Sequence, residues 1–138
     1  MSENSSNFLD YGIAALIIKN GKYLLIKNSR KEMFGCWTPP NGQCETCDQG
    51  EKDCVIREVL EKVNLNVKPI KKIWTAKGDT KVKTISFWLV EVIDGKIKIN
   101  KRKSSNYDWF SLNEIMKLKL YPATKHFFQL LQENKVKI

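Results

Sequence analysis

Apolar residues near the start of the chain fall into two short runs separated by a polar dipeptide. The first run covers residues 12–18 and the second residues 23–26, with Asn20-Gly21 between them. Such a dipeptide between apolar runs predicts a β-hairpin, because its residues tolerate the positive φ angles of a tight turn. A third run, residues 84–93, is rich in β-branched and aromatic residues and predicts a strand in the centre of a sheet.

Two longer segments have the periodicity of amphipathic helices. The first is predicted over Glu51–Val63, with a buried side formed by Val55, Val59, Leu60 and Val63. The second is predicted over residues 123–133, after Pro122, and buries Phe127, Leu130 and Leu131. A shorter helix is indicated at Ser111, because Glu114 follows it three residues later in a capping-box pattern.

Further strands are predicted on both sides of the central one. Residues 67–76 are apolar enough for a strand, and Pro69 favours an edge position because proline cannot donate a hydrogen bond to a neighbour. Alternation over residues 96–100 predicts a strand with one solvated face, and residues 107–110 form another short strand. Strands interleaved with helices predict an α/β sandwich, with a flexible tail over residues 1–10 and a single domain over residues 11–138.

Composition adds a strong positive charge to this picture. The 138 residues include 24 Lys and Arg against 15 Asp and Glu, a formal net charge of +9. A basic surface favours anionic partners such as nucleotides or nucleic acid, although a lysine-rich composition alone would give the same count. No apolar run approaches the roughly 20 residues that cross a bilayer, and the first residues do not resemble a signal peptide. We therefore expect a soluble cytoplasmic protein without a membrane partner.

The stretch from Trp37 to Leu65 carries the candidate chemistry. It contains two prolines, a glycine-containing polar loop and the first predicted helix. Glu58 and Glu61 are three residues apart on this helix, so their carboxylates project from one face and could hold a hard cation such as Mg²⁺. The alternative is a salt-bridged surface helix, because Glu58 and Lys62 are spaced for an i,i+4 ion pair.

The helix residues REVLEKVNL resemble the signature of the Nudix hydrolases, in which Arg and Glu precede an apolar residue and a pair of glutamates. The segments WTPPNG, KVKTISFWLVEVIDG and YDWFSLNEI, in that order, are similar to the asymmetrical diadenosine tetraphosphate hydrolases of this family. The resemblance implies a Nudix-type α/β/α sandwich with a mixed sheet and a central loop-helix that carries the Nudix box. It also implies hydrolysis of a dinucleoside polyphosphate with Mg²⁺ or Mn²⁺.

The resemblance assigns roles in catalysis and metal binding to four residues. Glu58 matches a metal-site carboxylate or general base, and Arg57 matches the arginine that orients a glutamate. Glu61 matches a metal ligand, and Gly42 belongs to the turn whose carbonyl can reach a metal ion.

Substrate contacts are implied at five further positions. Lys81 and Lys83 match lysines that contact the phosphate chain, and Asn41 belongs to the same turn as Gly42. Trp74 and Tyr107 match aromatic positions suited to stacking a base.

Several positions depart from the family pattern. Lys62 stands where a glutamate ligand is expected, Lys103 aligns with a further expected glutamate, and Asn64 replaces a glycine. The acidic residue that normally precedes the helix could be either Asp48 or Glu51. Because a lysine repels a metal ion, the alternative is a weakened or inactive Nudix-fold module that binds nucleotide or RNA.

The cysteines are the remaining candidate metal ligands. All four lie within or beside the same loop and helix, at Cys36, Cys44, Cys47 and Cys54. Four thiols could bind zinc tetrahedrally, but packed free cysteines are the favoured interpretation. Stable disulfides are not expected in a reducing cytosol. We expect the protein to be a monomer.

Overall fold

The computed structural model describes residues 7–29, 35–78 and 82–138. Within these ranges the chain forms strands and helices in the following order: β1 (Phe8–Leu16), β2 (Ile18–Lys19), β3 (Lys22–Asn28), β4 (Trp37–Thr38), β5 (Asn41–Glu45), α1 (Glu51–Val63), β6 (Leu65–Lys77), β7 (Thr84–Gly95), β8 (Ser104–Phe110), α2 (Leu112–Ile115) and α3 (Pro122–Gln132). Helices are interleaved with groups of strands, and α1 lies in the middle of the chain, as the sequence predicts.

The strands form two sheets. The first has the order β5-β1-β7-β6, in which β1 and β7 are parallel while the other neighbours are antiparallel. The second contains β2, β3 and β4, and β8 pairs with β3 in antiparallel orientation. The predicted α/β fold with a mixed sheet is confirmed, and so is the central position of the strand over residues 84–93.

Alternation along β1 divides the interior into two cores. Ile13 and Ala15 pack in the core that includes α1, whereas Ala14 and Leu16 pack in the core that includes α3. Successive side chains of a strand point to opposite faces, so one sheet separates the two helices. The core on the α1 side lies directly beneath the candidate site.

The predicted hairpin and edge strand are both present. Asn20 and Gly21 have φ angles of 53° and 75°, and β2 pairs with β3 across them. Strand β6 lies at the edge of the first sheet, and its register shifts between Pro69 and Lys71. The missing N–H of the proline is thus accommodated by an irregularity at an edge.

Helix α1 has the predicted bounds, but one residue of its buried side was assigned wrongly. Leu60 is 44% exposed, while Cys54 is fully buried with Val55, Val59 and Val63. The apolar stripe is narrower than a simple reading of the periodicity suggests. Similarly, α3 buries Phe127 and Phe128 completely, whereas Leu130 and Leu131 are only partly covered.

Two further expectations are wrong. Residues 8–10 belong to β1 rather than to a loose tail, because the backbone there runs alongside β5, with Phe8 opposite Glu45. Residues 96–100 do not form a strand; instead, Lys98 and Asn100 donate backbone hydrogen bonds to the terminal carbonyls of α1. Ile97 and Ile99 still pack against the core, which explains the alternating pattern without a neighbouring strand.

The capping box predicted at the start of α2 is present. The Ser111 hydroxyl accepts from the Glu114 N–H, and the Glu114 carboxylate accepts from the Ser111 N–H. In the described ranges, no helix is both long enough and apolar enough to cross a membrane.

Candidate functional site

The Arg57 guanidinium, on α1, forms a two-pronged contact with Asp48 in the loop before the helix. Nε lies 2.9 Å from Oδ1 of the Asp48 carboxylate, and Nη2 lies 2.9 Å from Oδ2. This contact holds the pKa of Asp48 below its ordinary value and raises the pKa of Arg57. The loop is therefore fastened to the helix by a charge-assisted pair with fixed geometry.

Three more carboxylates gather around the same guanidinium. The Nη1 atom of Arg57 lies 3.0 Å from Glu45, 3.2 Å from Glu58 and 3.5 Å from Glu61. The Glu58 side chain is buried, whereas that of Glu61 is 44% exposed. Arg57 thus fixes one inner and one outer carboxylate on the same face of the helix.

Glycine at position 42 makes room for the Glu58 carboxylate. Gly42 lies on β5, and a Cβ atom built there would overlap all three atoms of that carboxylate group. The carboxylate therefore rests directly against the backbone of the strand. No residue larger than glycine can occupy position 42 without moving Glu58.

Lys62 approaches the same carboxylate from the other side. Its ammonium nitrogen lies 3.3 Å from Oε1 of Glu58 and donates a 2.5 Å hydrogen bond to the carbonyl of Asn41. Oε1 is buried and, among the described residues, receives no hydrogen bond of good geometry, so the contact with Lys62 is an ion pair. The predicted i,i+4 pair exists, but it is buried rather than on the surface.

The oxygens at the site fit a divalent cation only in part. Mg²⁺ binds oxygen ligands and commonly uses one or two carboxylates together with substrate phosphates and water. Glu61 offers such a carboxylate on the exposed side. The space next to the Asn41 carbonyl and Oε1 of Glu58, however, already contains the Lys62 ammonium. The donor set suits an ion on the outer side and opposes one in the inner position.

The predicted substrate-binding residues do not share one environment. Lys83 is 83% exposed and forms a 3.5 Å ion pair with Asp10. Tyr107 is exposed on β8, opposite Ile26 of the core on the α1 side. Lys81 lies outside the described residues.

The partly buried side chain of Trp74 makes packing contacts with neighbouring aromatic rings. Its ring packs edge-on against His126 at 5.1 Å and lies 6.1 Å from the ring of Phe127. These contacts belong to the core on the α3 side of the sheet, across from Glu58. Trp74 therefore contributes to packing at this position, which the sequence did not indicate.

Two acidic residues at the site were missing from the predicted set of site residues. Asp48 rather than Glu51 is the acid that contacts Arg57, while Glu51 accepts a 2.8 Å hydrogen bond from the Trp88 indole. Glu45 was not predicted at all. Its position directly after the buried Cys44 on β5, at the end nearest the loop, was the only available signal.

A disulfide joins β5 to the first turn of α1, which contradicts the expectation of free cysteines throughout. Cys44 and Cys54 are both fully buried, with Cα atoms 5.4 Å apart, within the range a disulfide requires. Cys36 and Cys47 are free, the former buried and the latter exposed. Bonded to each other, the sulfurs of Cys44 and Cys54 are not available as thiolate ligands for zinc.

Together with the mixed sheet, this arrangement defines an α/β domain whose chemistry is organised by a loop and the helix that follows it. The family model of the NUDIX domain matches residues 9–131. The match covers most of the chain, and the chain belongs to the Nudix family. Members of this family that are hydrolases generally use divalent metal ions.

Solved structures share this fold over nearly the whole chain. The MutT protein of Methanosarcina mazei has a TM-score of 0.75 at 22% identity, covering 92% of this chain and 95% of its own. An ADP-ribose pyrophosphatase from Streptococcus suis has a TM-score of 0.69 at 26% identity, covering 91% and 90%. A C. elegans Ap4A hydrolase has a TM-score of 0.72 at 19% identity, covering 92% and 98%. Comparison with curated protein sequences finds no match.

Proposed function

We propose that the protein hydrolyses a phosphoanhydride bond in a dinucleoside polyphosphate or a related nucleoside diphosphate-linked substrate, with Mg²⁺ or Mn²⁺ as cofactor. The observation that carries this proposal is the buried Glu58 carboxylate, held between Arg57 and Lys62 against Gly42. A carboxylate fixed in this way beside an exposed one, Glu61, is suited to a hydrolytic site. The fold shared with pyrophosphatases and an Ap4A hydrolase supports the same reaction class.

In the proposed reaction, the oxygen of a water molecule forms a bond to phosphorus and the bond from phosphorus to the bridging oxygen breaks. Glu58 accepts the proton of the water, and Arg57 keeps its carboxylate oriented. Glu61 would hold a divalent ion, and such an ion would supply charge neutralisation of the phosphates and a lower pKa for the attacking water. The leaving phosphate departs as an anion with the electron pair of the broken bond.

Substrate binding is proposed at the positions that match substrate contacts in the family pattern. Lys83 and Lys81 are the proposed phosphate contacts, and Tyr107 is the proposed stacking surface for a base. Trp74, whose ring also packs against His126, is the second proposed stacking position. The net charge of +9 supports attraction of a polyanion.

A second function, binding of nucleotide or RNA without turnover, is favoured by one observation. The Lys62 ammonium lies where a carboxylate would strengthen a metal site, and it contacts both Asn41 and Glu58. Ammonium groups bind phosphate without hydrolysing it. The cytoplasmic location and monomeric state are also proposals, and the disulfide is a feature that is uncommon in a reducing compartment.

Turnover measurements separate the two functions. The wild type is assayed with diadenosine tetraphosphate and with ADP-ribose in the presence of Mg²⁺ or Mn²⁺, beside Glu58→Gln. Removing a general base should lower kcat by about 10²–10⁴-fold. The control is Glu91→Gln, which changes an exposed carboxylate on β7 and should retain the wild-type rate. Absence of turnover in the wild type, with nucleotide binding retained, would favour the binding function.

A further inference from the structure

Lys62 makes the contacts that would be expected of a metal ion in the inner part of the site. Its ammonium touches one main-chain carbonyl, that of Asn41, and one buried carboxylate oxygen, Oε1 of Glu58. Both are hard oxygen donors of the kind that bind Mg²⁺. A lysine from the last turn of α1 thus supplies a positive charge to oxygens that would otherwise lack a cation.

Burial makes this arrangement specific to the site. Lys62 and Glu58 are both buried, whereas Lys52 on the same helix is exposed. A buried charge is stable only when an opposite charge or polar groups compensate it. The ammonium and the carboxylate therefore compensate each other, and removing either leaves the other buried with one charged partner fewer.

From these contacts we infer that Lys62 is a resident cation that occupies the inner cation position of the site and excludes a divalent ion from it. The inference deepens the proposed function, since it concerns the charge balance of the same site. Its consequence is that this chain binds fewer divalent ions than a site with glutamate at position 62. A second consequence is that polyphosphate binding depends less on metal, because the ion pair with Lys62 already balances the negative charge of Glu58.

The number of bound ions tests the inference directly. Mn²⁺ is titrated into the protein without substrate, and the free ion is followed by electron paramagnetic resonance. Lys62→Glu should bind an additional Mn²⁺, with an affinity about 10-fold or more above any corresponding binding in the wild type. The charge-matched control Lys52→Glu should leave the number of bound ions unchanged, because position 52 is exposed and lies in the first turn of α1, whereas Lys62 lies in the last. Equal binding by wild type and Lys62→Glu, or an equal gain in Lys52→Glu, would overturn the inference.

Two further variants of Lys62 test the inference if Lys62→Glu does not fold. Lys62→Arg preserves the charge and should keep the wild-type number of bound Mn²⁺ ions, while Lys62→Met removes the charge and should admit the ion. Inorganic tripolyphosphate in the presence of a chelator should bind Lys62→Met about tenfold more weakly than the wild type. Lys52→Met serves as its control and should bind like the wild type. Unchanged Mn²⁺ and tripolyphosphate binding in Lys62→Met would also overturn the inference.

These measurements are independent of the reaction. Lack of turnover on every nucleotide would contradict the proposed hydrolysis and leave the Mn²⁺ counts interpretable. Conversely, the wild type could be active and bind as many Mn²⁺ ions as Lys62→Glu. That result would support the proposed hydrolysis and overturn the inference that Lys62 is a resident cation.

Discussion

At position 42 in β5, the space that a side chain would fill is occupied by the Glu58 carboxylate. The contact couples a strand residue to the chemistry of a helix residue, because the Glu58 carboxylate rests against the Cα atom of Gly42. Steric exclusion at one atom thereby determines where a charged group lies. The requirement for glycine here comes from space, not from backbone conformation, since Gly42 does not have a positive φ.

Gly42→Ala should reduce turnover by about 10²-fold, because its Cβ displaces Glu58 and misplacement of a reacting group by about 1 Å has effects of this size. The measurement is kcat for the substrate on which the wild type is active. Gly50→Ala is the matched control: its φ of 96° strains an alanine, but a Cβ there meets no atom within 4 Å. That control should lose stability and keep its turnover, whereas equal losses of turnover would argue against the steric explanation.

The pair of Asp48 and Arg57 should make stability depend on acid pH. Because the pKa of Asp48 is lowered in the folded state, its stabilising contribution is complete above the unfolded pKa of about 3.9 and is lost as the pH falls through the folded pKa. Asp48→Asn should therefore be less stable than the wild type at neutral pH, with a difference that shrinks below about pH 4. Urea unfolding at a series of pH values measures this difference. A gap that stays constant with pH would contradict the assignment.

At the scale of elements, the end of α1 explains why one departure from the family pattern is tolerated. Asn64 follows the helix with a φ of 62°, and its N–H donates to the Leu60 carbonyl. Glycine is the usual residue in this left-handed position, and asparagine is among the few others that adopt it readily. The Asn64 side chain also donates to the Lys96 carbonyl, which ties the helix end to the segment that covers it.

Asn64→Ala should lower the free energy of unfolding by about 1–2 kcal/mol, the penalty for a Cβ-bearing residue in the left-handed region. Asn64→Gly should lie closer to the wild type, since glycine removes the strain while losing the side-chain hydrogen bond. Chemical denaturation of the three proteins gives the comparison. An alanine variant as stable as the glycine variant would show that conformation is not the determining factor.

Element bounds could be predicted well where local signals agree. The bounds of α1 follow from its apolar periodicity and from the loop before it, and the hairpin follows from Asn20-Gly21. Residues 96–100 were misassigned because their alternation reflects packing of Ile97 and Ile99, while their N–H groups cap a helix that lies far away in sequence. Hydrophobic periodicity indicates which side chains are buried. It does not indicate which partners the backbone N–H groups bind.

At the scale of the whole molecule, the site assembles from segments whose relation is set by the sheet. The carboxylates at Glu58 and Glu61 were predictable from the helix and the family resemblance. The packing of Trp74 was not, because β6 shifts register between Lys72 and Trp74 and the face of the strand changes there. The burial of Lys62 could not be predicted from the sequence either, because it depends on a contact with the Asn41 carbonyl in β5.

The disulfide should stabilise the folded chain as a whole. A cross-link between residues 10 apart in sequence is expected to contribute about 2–3 kcal/mol, mainly by restricting the unfolded chain. The double variant Cys44→Ala with Cys54→Ala should lose this amount in urea unfolding under non-reducing conditions. Cys47→Ser, at an exposed free cysteine, should unfold like the wild type. No difference between the double variant and the wild type would show that the link adds no stability.

The bond between Cys44 and Cys54 closes a ring of chain that includes Glu45 and Asp48, two of the acidic partners of Arg57. Reduction of this bond would open the ring and loosen the attachment of both carboxylates at once. Turnover rates of the oxidised and the reduced protein would then describe two sites whose carboxylates are held differently. The oxidation state of this one bond accordingly has to be fixed, and verified by mass, before any two preparations are compared.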